Sequence, residues 1–382
     1  MASTLLRLVG LVATVLPIRA DRVVLATART PILEGNLLYL HGAIRRMRPD
    51  LQVTLLLEPY SYGFIGKLGY LGRLVRGMIL LRTSRWFIVD NAYLPVHVMP
   101  HRSGTTVIQV WHAVGALKRF GWDSNLPLDD PERRFLHAHY DWVVCSAEPS
   151  RGPYAAAFRI PPERVLPLGA PRVDFFADPV AVDASRRVVE ARYPAIAGKR
   201  VVLYAPTFRG RGAEKRAAQH LDAVALRAAL PDDHVLVLKG HPNLDEAATG
   251  TEGFDVVIDP VTPINEVLTA TDVLVTDYSS SIFEWAILRR PLVLLVPDLL
   301  AYEADPGLYL DYRTAMIGTQ VADTAGVAAA ILDGSPDLRP YEAFIQHHLG
   351  RTDGGASERL VARFLGPAPG HGATLPPDVR HE

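Results

Sequence analysis

Apolar and polar positions alternate along the chain in a way that predicts a repeated order of strand and helix. Short runs of β-branched and aliphatic residues are followed by stretches with helical apolar spacing, such as Gly35–Met47. In the first half these runs predict strands at Val23–Ala28, Gln52–Leu57, Trp86–Val89, Thr105–Val110, Asp141–Cys145 and Val165–Leu168. In the second half they predict strands at Arg200–Tyr204, His234–Leu238, Asp255–Ile258, Asp272–Thr276 and Leu292–Val296. Such alternation, twice over, predicts an α/β protein of two doubly wound domains.

A change of pattern between the two sets of strands indicates where these domains meet. The turn Gly169–Asp174 and the polar stretch Ala177–Ala184 favour a junction there. We therefore predict a first Rossmann-like domain over residues 21–175 and a second over residues 185–365. The Pro- and Gly-rich tail, residues 366–382, is predicted to be disordered.

Residues 1–20 precede the first predicted strand and form a mainly apolar segment. Arg7 interrupts this segment and Pro17 ends it, which disfavours both a transmembrane span and a cleaved signal peptide. We predict an amphipathic helix that packs on the first domain or lies at a membrane surface.

A second segment, Tyr62–Arg85, also bears on membrane association. It mixes large apolar residues with basic ones and has no acidic residue; the basic residues are Lys67, Arg73, Arg76, Arg82 and Arg85. Anionic lipid head groups attract such a mixture. A core helix with a solvated basic face fits the same pattern, so both interpretations stay open.

Composition limits the classes of function. Of the 382 residues, 49% are apolar and 21% are charged, which is typical of a globular protein. The net charge of −1 gives no general basic field, so we predict no nucleic-acid partner. The single cysteine, Cys145, excludes an intrachain disulfide and is predicted to lie in the core. No cluster of metal-ligating residues stands out, and we predict neither a metal nor a cofactor.

The stretch Asp272–Asp298 contains the clearest candidate site. Its strand ends at Asp277, and three serines follow before a helical pattern; they are Ser279, Ser280 and Ser281. Hydroxyls and free backbone N–H groups at the positive end of a helix dipole bind phosphate. A serine that only caps the helix is the alternative interpretation.

Three further polar clusters follow predicted strands, where open α/β sheets bind ligands. His112 comes after the strand Thr105–Val110, and histidine is suited to remove a proton from a hydroxyl near neutral pH. A structural histidine remains an equal alternative.

The other two clusters carry cations. Thr207 and Arg209 follow one strand, while Lys239 and His241 end another. A forked guanidinium and an ammonium at strand ends predict a phosphate site that needs no glycine-rich loop.

Taken together, these clusters resemble the CDP-glycerol glycerophosphotransferase family, the primases and polymerases of teichoic acid synthesis. Six motifs carry the resemblance over roughly residues 20–365. In chain order they are WHAVGALKRFG at 111–121, GAPRVD at 169–174, YAPTFR at 204–209, KGHP at 239–242, TDYSSSIFEWAILRRPLVLLVPD at 276–298 and DGGASER at 353–359.

The resemblance implies a GT-B-like fold, in which two Rossmann-like doubly wound domains face each other across a cleft. It implies a transferase that moves glycerol phosphate, or a related polyol phosphate, from CDP-glycerol to a hydroxyl of a cell-wall glycopolymer precursor and releases CMP. The implied partners are a CDP-polyol, a lipid-linked glycan acceptor and an anionic membrane surface. The implied location is peripheral, at the cytoplasmic face of the cell membrane.

Residue roles follow from the same resemblance. His112 would be the base on the acceptor hydroxyl, and His241 would contact the donor phosphates. Asp277 would fix the serine turn, with Ser281 as the third substrate-binding serine. The remaining residues implied around the pyrophosphate are Thr207, Arg209, Lys239, Ser279 and Ser280.

Some features leave alternatives open. Many family members have WHGTPLK where this chain has one residue more, which leaves the contacts with the acceptor unspecified. Phe208 replaces a commoner tryptophan. The polyol, and the choice between primase and polymerase, also stay open. The competing functions are a GT-B glycosyltransferase that uses a nucleotide sugar and a non-catalytic membrane-associated binding protein.

Overall fold

The structure is a computed structural model and describes residues 2–59, 64–124, 137–209, 216–217, 220–240, 250–334 and 337–367. A first sheet of six parallel strands lies in the N-terminal half. Its strands are β1 (Arg19–Thr27), β2 (Gln52–Leu57), β3 (Ser84–Val89), β4 (Thr106–Gln109), β5 (Trp142–Cys145) and β6 (Val165–Pro167). They lie in the order β2-β1-β3-β4-β5-β6.

A second parallel sheet of six strands follows, together with a small antiparallel pair, β8 (Phe208–Arg209) and β9 (Arg216–Ala217). The six strands are β7 (Arg200–Tyr204), β10 (His234–Lys239), β11 (Val256–Ile258), β12 (Val273–Thr276), β13 (Leu292–Leu295) and β14 (Thr319–Val321). They lie in the order β11-β10-β7-β12-β13-β14. The eleven strands predicted from the sequence are all present, with ends that shift by a few residues, so two doubly wound sheets are confirmed.

Helices connect the strands of both sheets. Those of the first half are α1 (Ala2–Val12), α2 (Gly35–Met47), α3 (Phe64–Thr83), α4 (Leu94–Val98) and α5 (Arg151–Phe158). Those that follow are α6 (Pro179–Arg192), α7 (Ala223–Ala229), α8 (Ile264–Thr269), α9 (Ser281–Leu288) and α10 (Leu299–Ala304), then α11 (Tyr312–Ala315), α12 (Thr324–Asp333), α13 (Tyr341–His348) and α14 (Ala356–Leu365).

Each sheet has one place where the strand order reverses, and open α/β sheets bind ligands beyond the carboxyl ends of the strands there. In the first sheet this place lies between β1 and β3, and in the second it lies between β7 and β12. Asp90 directly follows β3, whereas Thr207 and Asp277 follow β7 and β12. The topology therefore places polar residues of both halves at ligand-binding edges.

The last helix does not belong with the second sheet. Leu360, Val361 and Leu365 of α14 are buried with Leu37 and Leu40 of α2 against the first sheet. The prediction that residues 185–365 form the second domain is therefore wrong for α14. The apolar face of α14 packs on the first sheet.

The polar stretch Ala177–Ala184 contains the start of α6 instead of an irregular linker. The Asp178 side chain accepts hydrogen bonds from the N–H groups of Val180 and Ala181 and so caps this helix. The chain crosses from the first sheet to the second through a short helical segment at Pro171–Ala177, just before α6.

The N-terminal segment is shorter as a helix than residues 1–20. An α-helix ends at Val12, and β1 already begins at Arg19. Leu6 is fully buried, while Leu8 and Leu11 on the outer face are 60% and 62% exposed. Within the part of the chain that the structure describes, no helix combines the length and apolar character that a membrane crossing needs. The tail predicted to be disordered lies, from residue 368, outside the described residues.

Candidate active site

The loop after β4 brings the WHAVGALK motif against the second half of the chain. Gly115 in this loop has φ +65°, and a Cβ there would lie 2.6 Å from the Phe283 ring of α9. A side chain is therefore excluded by both the backbone conformation and the neighbouring ring. The glycine is what lets this loop approach the helix that begins at the serine turn.

The two residues at the start of this motif have an unusual backbone. Trp111 adopts a left-handed conformation with φ 51°, which is costly for a bulky residue. Its N–H donates to Gln109 Oε1 at 2.8 Å. Asn36 Nδ2 donates to the carbonyl oxygens of Val110 at 3.0 Å and of Trp111 at 2.8 Å. Two buried side-chain amides thus hold the peptide groups that orient His112.

A buried polar network also holds the Gln109 side chain in place. Its Nε2 donates to the Tyr140 hydroxyl at 3.0 Å, and that hydroxyl lies 3.0 Å from His137 Nδ1. Burial lowers the pKa of His137 to about 3 and that of His97, its neighbour, to about 4. Both rings are therefore neutral near pH 7, and the network under Trp111 carries no charge.

His112 is partly buried, and its Nδ1 lies 3.3 Å from the carbonyl oxygen of Asp90. A carbonyl oxygen only accepts, so we assign the ring proton to Nδ1, which leaves a lone pair on Nε2. Burial, and then the charge of Arg29, lower the pKa of His112 well below its ordinary value. The ring is neutral at pH 7 and has the form that a general base requires.

Asp90 contributes more than its carbonyl group. Its side chain is 3% exposed, and Oδ1 has no hydrogen-bond partner among the described residues. Burial raises the pKa of this carboxyl group to about 6. A titratable carboxyl group therefore follows β3, the strand next to β4, which leads to the candidate base His112.

Arg172, from the GAPRVD motif, connects the two halves of the site. Its Nη1 donates to the carbonyl oxygen of His112 at 3.0 Å, and its Nη2 donates to Asn265 Oδ1 at 2.9 Å. Its Nε forms an ion pair at 2.8 Å with Glu284 of α9, and this carboxylate is only 2% exposed. Sequence reasoning recognised the motif but missed the roles of Arg172, Gln109 and Asn36.

On the second sheet, Asp277 joins the turns after β7 and β12. It accepts from the Thr207 N–H at 2.8 Å and from the Thr207 hydroxyl at 2.9 Å. Arg209 Nη1 lies 2.9 Å from Asp277 Oδ2, and Arg209 Nε lies 2.7 Å from Asp298. Thr207, Arg209 and Asp277 therefore contact one another, and all three side chains are already engaged with protein groups.

The serines lie directly beside this cluster. Ser280 precedes α9, and the hydroxyls of Ser279 and Ser281 are 2.7 Å apart. Ser281 N–H also donates to the Ser279 hydroxyl at 3.3 Å. The turn therefore presents hydroxyls at the amino end of α9, which favours an anionic ligand.

Of the two predicted residues Lys239 and His241, the structure describes only Lys239. Lys239 is 5% exposed, and its ammonium donates to the carbonyl oxygens of Asp259 and Pro260, both at 2.8 Å. Burial lowers its pKa to about 8. His241 lies outside the described residues. Among the described residues, no group of three or more side chains of the metal-ligating types is placed to hold a metal.

Comparison with known proteins gives a consistent result. The family model for CDP-glycerol:poly(glycerophosphate) glycerophosphotransferase matches residues 9–366. The chain is 34% identical over 368 residues to the teichoic acid ribitol-phosphate primase of Bacillus spizizenii, with 93% of each chain covered. It is 28% identical to the teichoic acid glycerol-phosphate primase of Bacillus subtilis, with 75% of each covered.

A solved structure shows the same fold. The wall teichoic acid polymerase TagF superposes with a TM-score of 0.74 at 20% identity, covering 95% of this chain and 93% of that chain. This likeness confirms the predicted GT-B-like arrangement of two Rossmann-like domains.

Proposed function

Because the chain belongs to the CDP-glycerol:poly(glycerophosphate) glycerophosphotransferase family, we propose that His112 is the base in polyol-phosphate transfer from a CDP-polyol. An acceptor hydroxyl loses its proton to Nε2 of His112 and attacks the β-phosphorus of the donor. The bond between the β-phosphorus and the bridging oxygen breaks, and CMP leaves with that oxygen. The acceptor ends as a phosphodiester that carries the polyol.

The protonation state of His112 carries this proposal. Nδ1 donates to a backbone carbonyl, and burial keeps the ring neutral, so the lone pair on Nε2 is available throughout the neutral range. Arg172 fixes the peptide of this histidine to α9, whose amino end bears the serines. Arg172 thereby links the base to the helix that follows the donor turn.

On the donor side, we assign the diphosphate to the serine turn. The hydroxyls of Ser279, Ser280 and Ser281 and the dipole of α9 supply hydrogen bonds and positive potential at the amino end of this helix. Asp277, Thr207 and Arg209 hold the shape of the turn through their mutual bonds. Lys239 adds positive charge from the end of β10, the strand beside β7, and His241 is assigned to the donor phosphates from the resemblance alone.

The unit transferred is proposed from the relatives. The higher identity to the ribitol-phosphate primase favours ribitol phosphate over glycerol phosphate, and both compounds are to be compared as donors. The proposed acceptor is a hydroxyl of a lipid-linked glycan.

The decisive experiment measures CMP release from CDP-glycerol, CDP-ribitol and UDP-sugars, with a prenyl-linked disaccharide and its polyol-phosphate derivative as acceptors. We expect CMP from a CDP-polyol and a loss of about 10²- to 10⁴-fold in His112→Ala, the range for general base catalysis. His347→Ala, which removes an exposed histidine on α13, is the matched control and keeps full activity. If no CDP-polyol yields CMP, the proposal is wrong; turnover of a UDP-sugar instead would favour the glycosyltransferase.

We further propose that the protein associates peripherally with the cytoplasmic face of the membrane, where a lipid-linked acceptor would be reached. The supporting observation is the outer face of α1 and the turn after it, on which Leu8, Leu11, Val12 and Val15 are 60% to 83% exposed. An apolar helix face of this kind inserts at the level of the lipid head groups.

The basic residues of Tyr62–Arg85 contribute less than the sequence indicates. Arg82 Nη1 donates to the carbonyl oxygen of Pro100 at 2.8 Å, and Arg85 Nη1 donates to that of Gly104 at 2.9 Å. Both side chains therefore pack on the protein, whereas Arg76 is exposed. The apolar face of α1 is the main element of the proposed contact.

Vesicle sedimentation tests the membrane proposal. We expect the unaltered protein to pellet with anionic vesicles and the double variant Leu8→Glu, Leu11→Glu to stay in the supernatant. Leu300→Glu, at an exposed leucine of α10, is the control and pellets normally. Equal sedimentation of all three proteins would remove α1 from the proposed contact.

A further inference from the structure

Lys118, the last residue of the WHAVGALK stretch, lies between the two halves of the molecule. The segment that contains it pairs with residues 307–309 of the second half in a short antiparallel bridge. Arg119 N–H donates to the Gly307 carbonyl oxygen, and Tyr309 N–H donates to that of Leu117, each at 2.9 Å. Backbone hydrogen bonds thus fix the position from which the Lys118 side chain extends.

The side chain reaches the donor cluster. Its ammonium lies 5.4 Å from the centroid of the Tyr302 ring, and this ring stacks on Tyr278 with a centroid distance of 3.7 Å. The Arg209 guanidinium lies 4.9 Å from the same Tyr302 centroid. Lys118 is therefore next to the cluster that shapes the serine turn, although it belongs to the other half of the chain.

Lys118 differs from the other cations near the donor turn in what it contacts. Arg209 is paired with two carboxylates, and Lys239 donates to two backbone carbonyls. Among the described residues, no hydrogen bond or ion pair engages the Lys118 ammonium, which makes a cation–π contact with the Tyr302 ring. A partly buried ammonium with three unused donors is costly unless a ligand anion completes it.

We propose that Lys118 binds the diphosphate of the donor from the first domain, opposite the serine turn. The inference rests on the proposed function and adds a residue that the sequence analysis did not assign. It explains why the segment is held by a bridge between the halves, since the ammonium must reach across the cleft. Burial lowers the pKa of this lysine to about 8, with the carboxylate of Asp277 opposing that effect, so the group still carries its charge at pH 7.

The role is one of binding, and it predicts which ligands are affected. Loss of the ammonium removes a charged hydrogen bond to the diphosphate, which corresponds to about 10- to 100-fold in affinity. A ligand with a diphosphate should lose more affinity than CMP, whose single phosphate leaves the β-position empty.

The test is calorimetric titration of the full-length protein with CDP-glycerol, CDP-ribitol and CMP. Lys118→Met keeps the length of the side chain and removes its charge, whereas Lys118→Arg keeps the charge. We expect Lys118→Met to weaken CDP-polyol binding by about 10- to 100-fold and CMP binding by much less. Lys118→Arg should recover most of the affinity for the CDP-polyol. Lys118→Gln serves if the methionine variant does not fold.

Lys199→Met is the matched control, because this lysine is exposed and, among the described residues, its ammonium donates only to the Asp232 carbonyl oxygen. We expect it to bind both ligands as the unaltered protein does. Unchanged CDP-polyol binding in folded Lys118→Met or Lys118→Gln would overturn the inference and leave the proposed function intact. An unaltered protein that binds no CDP-polyol would overturn the proposed function, and the inference with it.

Discussion

The turn that carries His112 and the turn that carries the serines follow strands of different sheets, and they are held in opposite ways. The first contains Trp111 in a left-handed conformation, and neutral amides of Gln109 and Asn36 hold its peptide groups. The second is held by charged groups, because Asp277 binds Arg209 and both groups of Thr207.

This difference fits the role proposed for each turn. A base works at neutral pH only if its ring stays unprotonated. The amides of Gln109 and Asn36 are neutral and Arg172 is a cation, so none of these supports opposes the lowering of the pKa by burial. The proposed diphosphate site needs a shape that does not collapse when the ligand leaves, and the buried ion pair of Arg209 and Asp277 fixes the shape of this turn. The comparison predicts that a single substitution has different consequences in the two turns.

The largest expected effect is on stability, at the charged turn. Asp277→Ala removes a buried partner of Arg209 and leaves the donors of Thr207 unpaired, so we expect the free energy of unfolding to fall by about 3 kcal/mol. Urea denaturation measures this loss. Asp298→Ala, at a carboxylate that is 23% exposed, is the control and should cost less. Equal losses would contradict the idea that Asp277 is the centre of the turn.

At the turn that carries His112 we expect a change in rate. Gln109→Leu removes the acceptor of the Trp111 N–H, so the left-handed residue can relax and His112 moves. Turnover should fall by about 10- to 100-fold, while donor affinity stays within about twofold, because a displacement of about 1 Å costs this much at a reacting group. Steady-state kinetics and donor titration separate the two quantities. Gln52→Leu on the surface should change neither; weaker donor binding in Gln109→Leu would mean that the turns are not independent.

The smallest expected effect is on the pH profile. The pKa of His112 lies well below 6.5, so kcat/KM should be level from pH 7.5 down to pH 6.5 and fall only at lower pH, as the ring gains a proton. Asp90, with a pKa raised to about 6, also takes up a proton there. Asp90→Asn separates the two groups: the fall should remain if His112 causes it. A profile that already falls near pH 7 would contradict a buried neutral base.

The sequence alone predicted eleven of the twelve strands that the described residues form in the two parallel sheets, all except β14, and it gave candidate residues for the site. Parallel strands that are buried on both faces have continuous apolar runs, and the polar residues after them mark the carboxyl edge where ligands bind. This pattern gave His112, Thr207, Asp277 and the serines as candidates, because each follows such a run, and their roles stay predictions.

The partners of these residues could not be predicted. Arg209 and Lys239 were expected to face the diphosphate, but Asp298 and the Asp259 carbonyl group, distant in sequence, engage them. Gln109 is inside a strand, where an amide resembles any buried polar residue until the Trp111 conformation is known. The return of α14 to the first sheet was missed for a similar reason: an apolar helical pattern does not indicate which of two sheets it covers.

That return gives the protein two covalent connections between its lobes instead of one. Asp174, on the outgoing connection, accepts from the N–H groups of Ala356 and Ser357 at 2.9 Å and 2.8 Å, so it caps the helix that the incoming connection enters. Arg359 Nε also donates to the Leu168 carbonyl oxygen at 2.9 Å. The two connecting segments thus lie side by side and are joined by hydrogen bonds. A movement that separates the two connections would have to break the hydrogen bonds of Asp174 and Arg359.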